Sequence, residues 1–401
     1  ITEDVEQETP TSTVTAQATV DSNGRAVAAI TQEQANSAIE KALEEVKNQG
    51  DDAAIGVTFR IESVEDAKEV VATLPKAAID ATVDNYLDTM TVSTAIASIT
   101  FDSDALKSIS NESEADVSIS ISIIEPETLS EEAQRLVGDR PVFDFSVTSG
   151  DKEISQFNGD VTVSIPYTPK PDEDTNAIVI YYINAEGKLE IVTECYYDPA
   201  TGTVRFITNH FSLYAVGYNK VNFNDVLADA WYNNAVQFIA ARGITNGTGN
   251  GNYSPEANLT RAEFLVMAMR AYGIMPDAET ADNFADAGNT WYTGYLAAAK
   301  RLGISKGIGD NKFAPNNYIT RQEMFTLLYN VLNIAGKLPV SKGGQPMSAF
   351  SDADQVASWA RETMDFFTRA GIVKGSNGKL NPMNTATRAE MAQVLYNLLS
   401  K

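Results

Sequence analysis

The chain has 401 residues, a net charge of −24 and a single cysteine, Cys195. One cysteine permits no internal disulfide, and one cysteine with one histidine cannot supply a zinc site, so we expect no metal and no cofactor. No apolar run approaches the ~20 residues that a membrane-spanning helix needs. An acidic surface repels nucleic acid, so neither membrane insertion nor nucleic-acid binding is expected.

The acidic residues are concentrated in the first half of the chain. Residues 1–220 contain 39 Asp and Glu against 14 Lys and Arg, whereas residues 221–401 contain 15 against 16. Because like charges repel, the nearly neutral second half is the better candidate for contact with an anionic partner.

Residues 1–11 are polar and acidic, without periodicity, and are predicted to be a tail or linker. Residues 12–220 are predicted to form a β-rich surface domain. The turn DSNG between VTAQATV and RAVAAI predicts a hairpin. Helical spacing from Ala35 to Val46 predicts a helix capped by Thr31. The strict alternation of DVSISISII (116–124) predicts a strand with one buried face and a row of serines on the other.

After residue 220 the pattern becomes helical and a unit is repeated three times. Each unit contains, in order, Phe-x-Asp, a Trp, a five-residue loop that starts and ends with Gly, a Pro, and the box Thr-Arg-x-Glu. The predicted boundaries are 221–280 (repeat 1), 281–346 (repeat 2) and 347–401 (repeat 3). The residues that recur are the clamp aspartates Asp225, Asp286 and Asp352; the repeat tryptophans Trp231, Trp291 and Trp359; the loop glycines Gly247, Gly307 and Gly375; and the box arginines Arg261, Arg321 and Arg388.

The Thr and Glu of each box are spaced as in a capping box, which predicts a helix start. They are Thr260 and Glu263, Thr320 and Glu323, and Thr387 and Glu390. The sequence after each box is apolar on most sides, so we expect one buried helix per repeat in a central bundle.

The cap does not explain the box arginines, because a cation at the first turn of a helix faces the positive end of the dipole. One interpretation pairs each arginine with a carboxylate of a neighbouring repeat, for example a clamp aspartate. The other places helix amides, dipole and guanidinium around one bound anion.

The repeat tryptophans also have two interpretations. Each can anchor the first helix of its repeat in the core, or offer a flat apolar platform to the face of a sugar ring. The loop glycines permit a left-handed turn and a close approach of a ligand to the backbone.

Residues 221–401 resemble three tandem S-layer homology (SLH) domains at the C-terminus of a bacterial, clostridial-type surface protein. The likeness rests on the Phe-x-Asp start, the Trp, the Gly-x-x-x-Gly loop and the Thr-Arg-Ala-Glu box. Gln322 and Ala386 depart from the usual box residues. The resemblance implies a secreted protein of the Gram-positive cell wall or S-layer, with other surface-layer subunits as further partners.

In that family three repeats form a pseudo-threefold bundle whose grooves bind secondary cell wall polysaccharide, commonly with a pyruvate ketal on N-acetylmannosamine. By this resemblance the box arginines would hold the pyruvate carboxylate and the repeat tryptophans would face the sugar. The clamp aspartates and loop glycines would shape each groove.

The resulting prediction is a non-catalytic wall anchor of α+β, multidomain class. It consists of a β-sandwich-like domain with a few helices, followed by an all-α pseudo-threefold bundle. The alternatives left open are a wall-anchored enzyme or an adhesin whose activity lies in residues 12–220. The carboxylates there show no spacing that marks an acid–base pair.

Overall fold

The computed structural model describes residues 11–49, 54–62, 67–339 and 343–400. It divides into two compact units: one holds the chain up to Glu173 together with Ile178–Tyr218, and the other holds Asp174–Ala177 and the chain from Asn219 onward. The predicted tail, apart from Thr11, lies outside the described residues.

The first unit contains the following strands and helices. The strands are β1 (Thr11–Gln17), β2 (Thr19–Val20), β3 (Ala26–Ala29), β4 (Gly56–Glu62), β5 (Glu69–Leu74), β6 (Thr89–Ser93), β7 (Ser98–Asp102), β8 (Val117–Ile124), β9 (Val142–Ser149), β10 (Lys152–Glu153), β11 (Gln156–Pro166), β12 (Ile178–Ile183), β13 (Leu189–Val192), β14 (Cys195–Asp198), β15 (Thr203–His210) and β16 (Leu213–Tyr218). The helices are α1 (Gln32–Gln49), α2 (Lys76–Asp84), α3 (Ser103–Glu112) and α4 (Glu131–Val137).

These strands form two sheets, in the orders β1-β4-β6-β7-β11-β15-β14 and β13-β12-β16-β9-β8-β5-β3-β2, with β10 paired to β9. The buried faces of the sheets meet through aromatic rings. Phe145 and Tyr214 of the second sheet lie 6.3 and 4.8 Å, between ring centroids, from Phe206 of the first. In β8 the residues Val117, Ile119 and Ile121 are buried while the serines between them are partly exposed, which confirms the alternation.

The second unit contains six α-helices among its described residues. They are α5 (Asn233–Ala241), α6 (Arg261–Ala271), α7 (Thr293–Arg301), α8 (Arg321–Ala335), α9 (Arg361–Arg369) and α10 (Arg388–Leu399). The helix that follows the box of repeat 1, α6, packs against the corresponding helices α8 and α10. The first helix of each repeat packs on the box helix of another: α5 on α10, α7 on α6, and α9 on α8.

The predicted fold class is wrong in both halves. The first unit is a mixed structure, because β1 pairs with β4, β4 with β6, and β3 with β5 in parallel; parallel neighbours need crossover segments, which here include helices. The second unit is not all-α, since it also contains short 3-10 helices and β-bridges that link the three boxes.

Candidate functional site

The residues that precede the three boxes close a ring of backbone hydrogen bonds. Leu259 N donates to Ala386 O at 2.9 Å, Ala386 N to Ile319 O at 3.2 Å, and Ile319 N to Leu259 O at 3.0 Å. All three side chains are fully buried. The repeats are therefore joined around a common centre, with each box at an equivalent place.

The three capping boxes are confirmed. The Glu carboxylate accepts from the Thr backbone N–H at 2.8–2.9 Å in every repeat. In repeats 1 and 3 the Thr hydroxyl accepts in return from the Glu amide, at 3.3 and 3.2 Å. We call Glu263, Glu323 and Glu390 the box glutamates.

The next two amides of each box helix donate to another repeat. The amide of Arg261 donates to Asn317 O at 2.9 Å and that of Ala262 to Pro315 O at 3.0 Å, and the other two repeats do the same. These amides are therefore not available to a ligand, which removes the amide component of the anion-site interpretation.

Each box arginine forms an ion pair with the box glutamate of the next repeat, so that the pairs close a second ring. The distances are 2.7 Å for Arg261–Glu323, 3.2 Å for Arg321–Glu390 and 3.1 Å for Arg388–Glu263. The interpretation that pairs the arginine with a neighbouring carboxylate is confirmed, but the carboxylate is the box glutamate and not a clamp aspartate.

The Nε atom of each box arginine is also used. It donates to the carbonyl of Phe313, Leu380 or Tyr253 in that same next repeat, at 2.8, 3.1 and 2.7 Å. The side chains of Arg261 and Arg388 are 6% and 4% exposed, whereas that of Arg321 is 18% exposed. Burial lowers the pKa of Arg261, although the negative charges of Glu323 and Asp286 oppose that shift.

Each clamp aspartate accepts hydrogen bonds from the two residues that precede the Pro of its own repeat. Asp225 accepts from the amides of Tyr253 and Ser254, both at 2.7 Å. Asp286 and Asp352 make the same pair of hydrogen bonds, all at 2.8 Å. These carboxylates thus fix the loop whose carbonyl oxygen the box arginine contacts.

The loop glycines are required by close packing as well as by their backbone conformation. Gly247 has a φ of 75°, and a Cβ there would lie 2.3 Å from Asn252 O and 2.6 Å from the Phe223 ring. Gly307 and Gly375 have φ values of 76° and 65°, and a Cβ there would lie 2.9 Å from the Phe284 ring and 2.6 Å from the Phe350 ring. The Phe of each Phe-x-Asp motif therefore packs on the last glycine of its own loop.

The repeat tryptophans are largely exposed, at 60% for Trp231, 59% for Trp291 and 55% for Trp359. In the first two repeats the residue that enters the core is the following tyrosine, Tyr232 or Tyr292, which contacts the indole edge-on. Anchoring in the core therefore does not account for the indoles.

Groove 1 brings together residues of all three repeats. This cavity of about 240 Å³ is lined by Ile244, Thr245, Asn246, Gly247, Glu263, Val266, Met267, Arg270, Trp291 and Arg388. The loop and helix α6 come from repeat 1, the indole from repeat 2 and the box arginine from repeat 3. A box arginine, a repeat tryptophan and a loop glycine, all predicted from the sequence, thus lie together in this groove.

Groove 2 also contains a box arginine, but its lining comes from repeats 2 and 3. This cavity of about 210 Å³ is lined by Arg321, Gly375, Ser376, Asn381, Asn384, Thr385 and Glu390. In both grooves a loop glycine and a box glutamate of one repeat face the box arginine of another.

Sequence reasoning assigned the box glutamates to capping alone and did not identify the wall of groove 1 on α6. A signal for that wall exists in the sequence. Glu263, Val266, Met267 and Arg270 are spaced by three or four residues, so they lie on one face of the helix.

The three repeats match the family model of the S-layer homology domain, at residues 222–265, 283–325 and 349–392. The chain carries three SLH domains. They contain every recurrent motif named above, including the box arginines and box glutamates that close the ring.

Similar proteins include surface proteins and enzymes. The chain is 33% identical to the S-layer protein sap of Bacillus anthracis over 43% of this chain and 20% of that protein. It is 31% identical to an amylopullulanase of Thermoanaerobacterium thermosulfurigenes over 63% of this chain and 14% of that enzyme. It is 32% identical to exoglucanase XynX of Acetivibrio thermocellus over 45% of this chain and 16% of that enzyme. The chain therefore spans a fifth or less of these relatives.

The SLH domains and these relatives identify a cell-wall-associated extracellular protein, anchored to the wall as a surface protein. Among the described residues, no helix combines the length and the apolar character needed to cross a membrane. Residues 219–401 make up 183 of the 401 residues, or about 46%. The likeness to the amylopullulanase covers 63% of the chain, so it reaches into the first unit.

Proposed function

We propose that the second unit anchors the protein by binding secondary cell wall polysaccharide in the grooves between SLH domains. The ligand is an acidic glycan, of the kind that carries a pyruvate ketal. The observation that carries this proposal is the set of repeat tryptophans, which are more than half exposed at equivalent positions. Aromatic side chains exposed at three equivalent positions offer apolar faces on which sugar rings can stack.

Groove 1 offers the contacts that an acidic sugar needs. The indole of Trp291 supplies an apolar face with an N–H donor, while Thr245 and Asn246 supply polar groups beside the backbone of Gly247. Positive charge comes from guanidinium groups in the lining. Stacking and charged hydrogen bonds of about 1–3 kcal/mol each make a modest site, which is sufficient when a repeating polymer engages several grooves at once.

The box arginines contribute to binding in proportion to their accessibility. Arg321, whose side chain is 18% exposed, contacts the ligand in groove 2. Arg261 and Arg388, whose side chains are only 6% and 4% exposed, act chiefly by holding the groove walls together through their bonds to the next repeat.

The test measures binding of the full chain to purified wall sacculi before and after hydrofluoric acid removes the wall polysaccharide. We expect binding to be lost with the polysaccharide. Undiminished binding to the stripped peptidoglycan would contradict the proposal.

Variants of the full chain distinguish stacking on the tryptophans from non-specific adsorption to the wall. Replacing all three repeat tryptophans with alanine is expected to weaken binding at least 100-fold, because about 1 kcal/mol or more is lost at each groove. The matched control is Tyr86→Ala, which removes a side chain that is 85% exposed in the first unit and is expected to leave wall binding unchanged.

A further inference from the structure

Groove 1 contains a guanidinium that no carboxylate neutralises. Arg388 is bonded through all three nitrogen atoms: to Tyr253 O at 2.7 Å, to Glu263 at 3.1 Å and to Thr245 Oγ1 at 3.4 Å. Arg270 lines the same groove and is half-buried. Within the part of the chain that the structure describes, it forms no ion pair, and its hydrogen bond runs from Nε to the Tyr295 hydroxyl, at 3.2 Å.

The position of Arg270 separates it from the ring of ion pairs. It follows Glu263 by seven residues on the same face of α6, which corresponds to about 10 Å along the helix axis. The apolar side chains of Val266 and Met267 lie between them in the groove wall. The wall therefore has a neutralised end, where Arg388 meets Glu263, and a positively charged end at Arg270.

The other repeats place this extra cation on the loop instead of the helix. Nine residues after the box arginine, where repeat 1 has Arg270, repeats 2 and 3 have Asn330 and Asn397. At the fourth position of the glycine loop, where repeat 1 has Asn246, they have exposed lysines. These are Lys306 and Lys374, which form no ion pair with any described residue. Repeats 2 and 3 thus have a lysine on the glycine loop and an asparagine on the box helix, whereas repeat 1 has the asparagine on the loop and the cation on the helix.

We propose that Arg270 binds the carboxylate of the glycan in groove 1, and that Arg270, rather than Arg388, gives this groove its preference for an acidic sugar. This inference rests on the proposed function, because groove 1 must first be a glycan site. The Tyr295 hydroxyl and ring hold the Nε side of Arg270, with the ring centroid 5.5 Å from Cζ. The two terminal nitrogens remain to pair with the two oxygens of one carboxylate.

The test reads groove 1 alone. Trp231 and Trp359 of the full chain are replaced by phenylalanine, so that Trp291 is the remaining tryptophan, and its fluorescence reports the groove that it lines. The probes are the methyl glycoside of N-acetylmannosamine 4,6-pyruvate ketal and the methyl ester of that ketal, which lacks the charge. Arg270→Asn is expected to weaken binding of the acid by about 10- to 100-fold and to change binding of the ester little.

A charge-exchange variant distinguishes recognition from a structural effect. Asn246→Lys added to Arg270→Asn recreates the arrangement of repeats 2 and 3, and it is expected to restore most of the affinity for the acid. If Arg270→Asn weakened acid and ester equally, or kept the parent preference for the acid, the assignment of Arg270 would be overturned while the groove stayed a glycan site. If the parent bound neither probe in groove 1, this inference would fail. Binding to sacculi would then show separately whether the proposed anchoring function also fails.

Discussion

The two units bury polar groups in different ways. The first unit places apolar side chains between its sheets and leaves most of its ion pairs in water, as in Lys68–Glu125 and Lys107–Asp104; Arg140–Glu173 is a buried exception. The second unit surrounds its central helices with buried or half-buried Arg–Glu pairs, one from each repeat to the next.

The difference follows from what holds the chain in register. A sheet is specified over long stretches by alternating apolar residues and continuous backbone pairing, so no single polar contact determines it. Three short repeats share only a small ring of backbone bonds, and the repeated side-chain contacts must fix how each repeat meets the next. The second unit should therefore be the more sensitive of the two to single polar substitutions.

The largest expected effect is that of Arg261→Ala. The substitution removes a guanidinium that is 6% exposed and deprives Glu323 and the Phe313 carbonyl of its hydrogen bonds. We expect it to destabilise the second unit by about 3–5 kcal/mol. Hydrogen exchange of the full chain, followed separately in peptides from 67–173 and from 219–339, should show faster exchange in the second unit alone.

Arg301→Ala is the matched control for that substitution. Arg301 also pairs with a carboxylate, Asp277 at 2.6 Å, but its side chain is 60% exposed. Its loss is expected to cost about 0–1 kcal/mol. Equal effects of the two substitutions would show that a buried pair of the ring contributes no more to stability than an exposed ion pair of the same unit.

Much of the first unit could be predicted from the sequence, but its topology could not. The alternation of β8 and the helix α1, in which Thr31 Oγ1 accepts from the Gln34 amide at 3.2 Å, follow from local patterns. The predicted hairpin is right only for β2 and β3, because β1 instead pairs with β4 in the other sheet. The partner of each strand depends on contacts between residues far apart in sequence, and a local pattern cannot predict those contacts.

Of the candidate site, only the residues that recur in all three repeats could be predicted, and their assembly could not. Repetition identified the box arginines, the repeat tryptophans and the loop glycines, because a residue that recurs at the same position in three repeats can be recognised from the sequence alone. Groove 1, however, takes Gly247, Trp291 and Arg388 from three different repeats. Arg270 occurs in one repeat only, so repetition could not reveal it.

The second effect in size concerns the glycine loop of repeat 1. Gly247→Ala forces a Cβ to within 2.3 Å of Asn252 O at a φ of 75°, and it is expected to cost about 2–4 kcal/mol through strain and overpacking. Gly243→Ala is the control, since Gly243 has a φ of 67° with open space around its Cβ and should cost about 1 kcal/mol. Thermal unfolding of the two variants measures the difference, and equal costs would refute the packing argument.

Asp352→Asn is the third test and concerns a buried carboxylate of the second unit. Burial alone would raise the pKa of Asp352, but hydrogen bonds from the amides of Leu380 and Asn381 outweigh it and lower the pKa below 3.8. The ionised form is therefore favoured by folding. The substitution is expected to destabilise the second unit at pH 7 by about 1.5–3 kcal/mol, while the exposed neighbour substitution Asp354→Asn should have little effect.

The pH dependence of that effect has a definite sign. Because the pKa of Asp352 is lowered in the folded state, its stabilisation is complete above pH 3.8 and is lost as the pH falls through the folded value. The difference in stability between the parent and Asp352→Asn should shrink in acid. A difference that stayed constant from pH 7 into that range would exclude the ionised carboxylate as its source.

The smallest expected effect has the opposite sign and lies in the first unit. Burial, together with the negative charges of Glu153 and Glu69, raises the pKa of Asp144, so folding disfavours its ionised form. Asp144→Asn should therefore stabilise the first unit at pH 7, by about 0.5 kcal/mol or less. The gain should disappear as the pH falls through the raised pKa toward 3.8, because the native Asp144 is then protonated in the folded state. Glu153→Gln should lower the pKa of Asp144 and act in the same direction. If Asp144→Asn instead destabilised the unit as Asp352→Asn does, the two units would depend on their carboxylates alike.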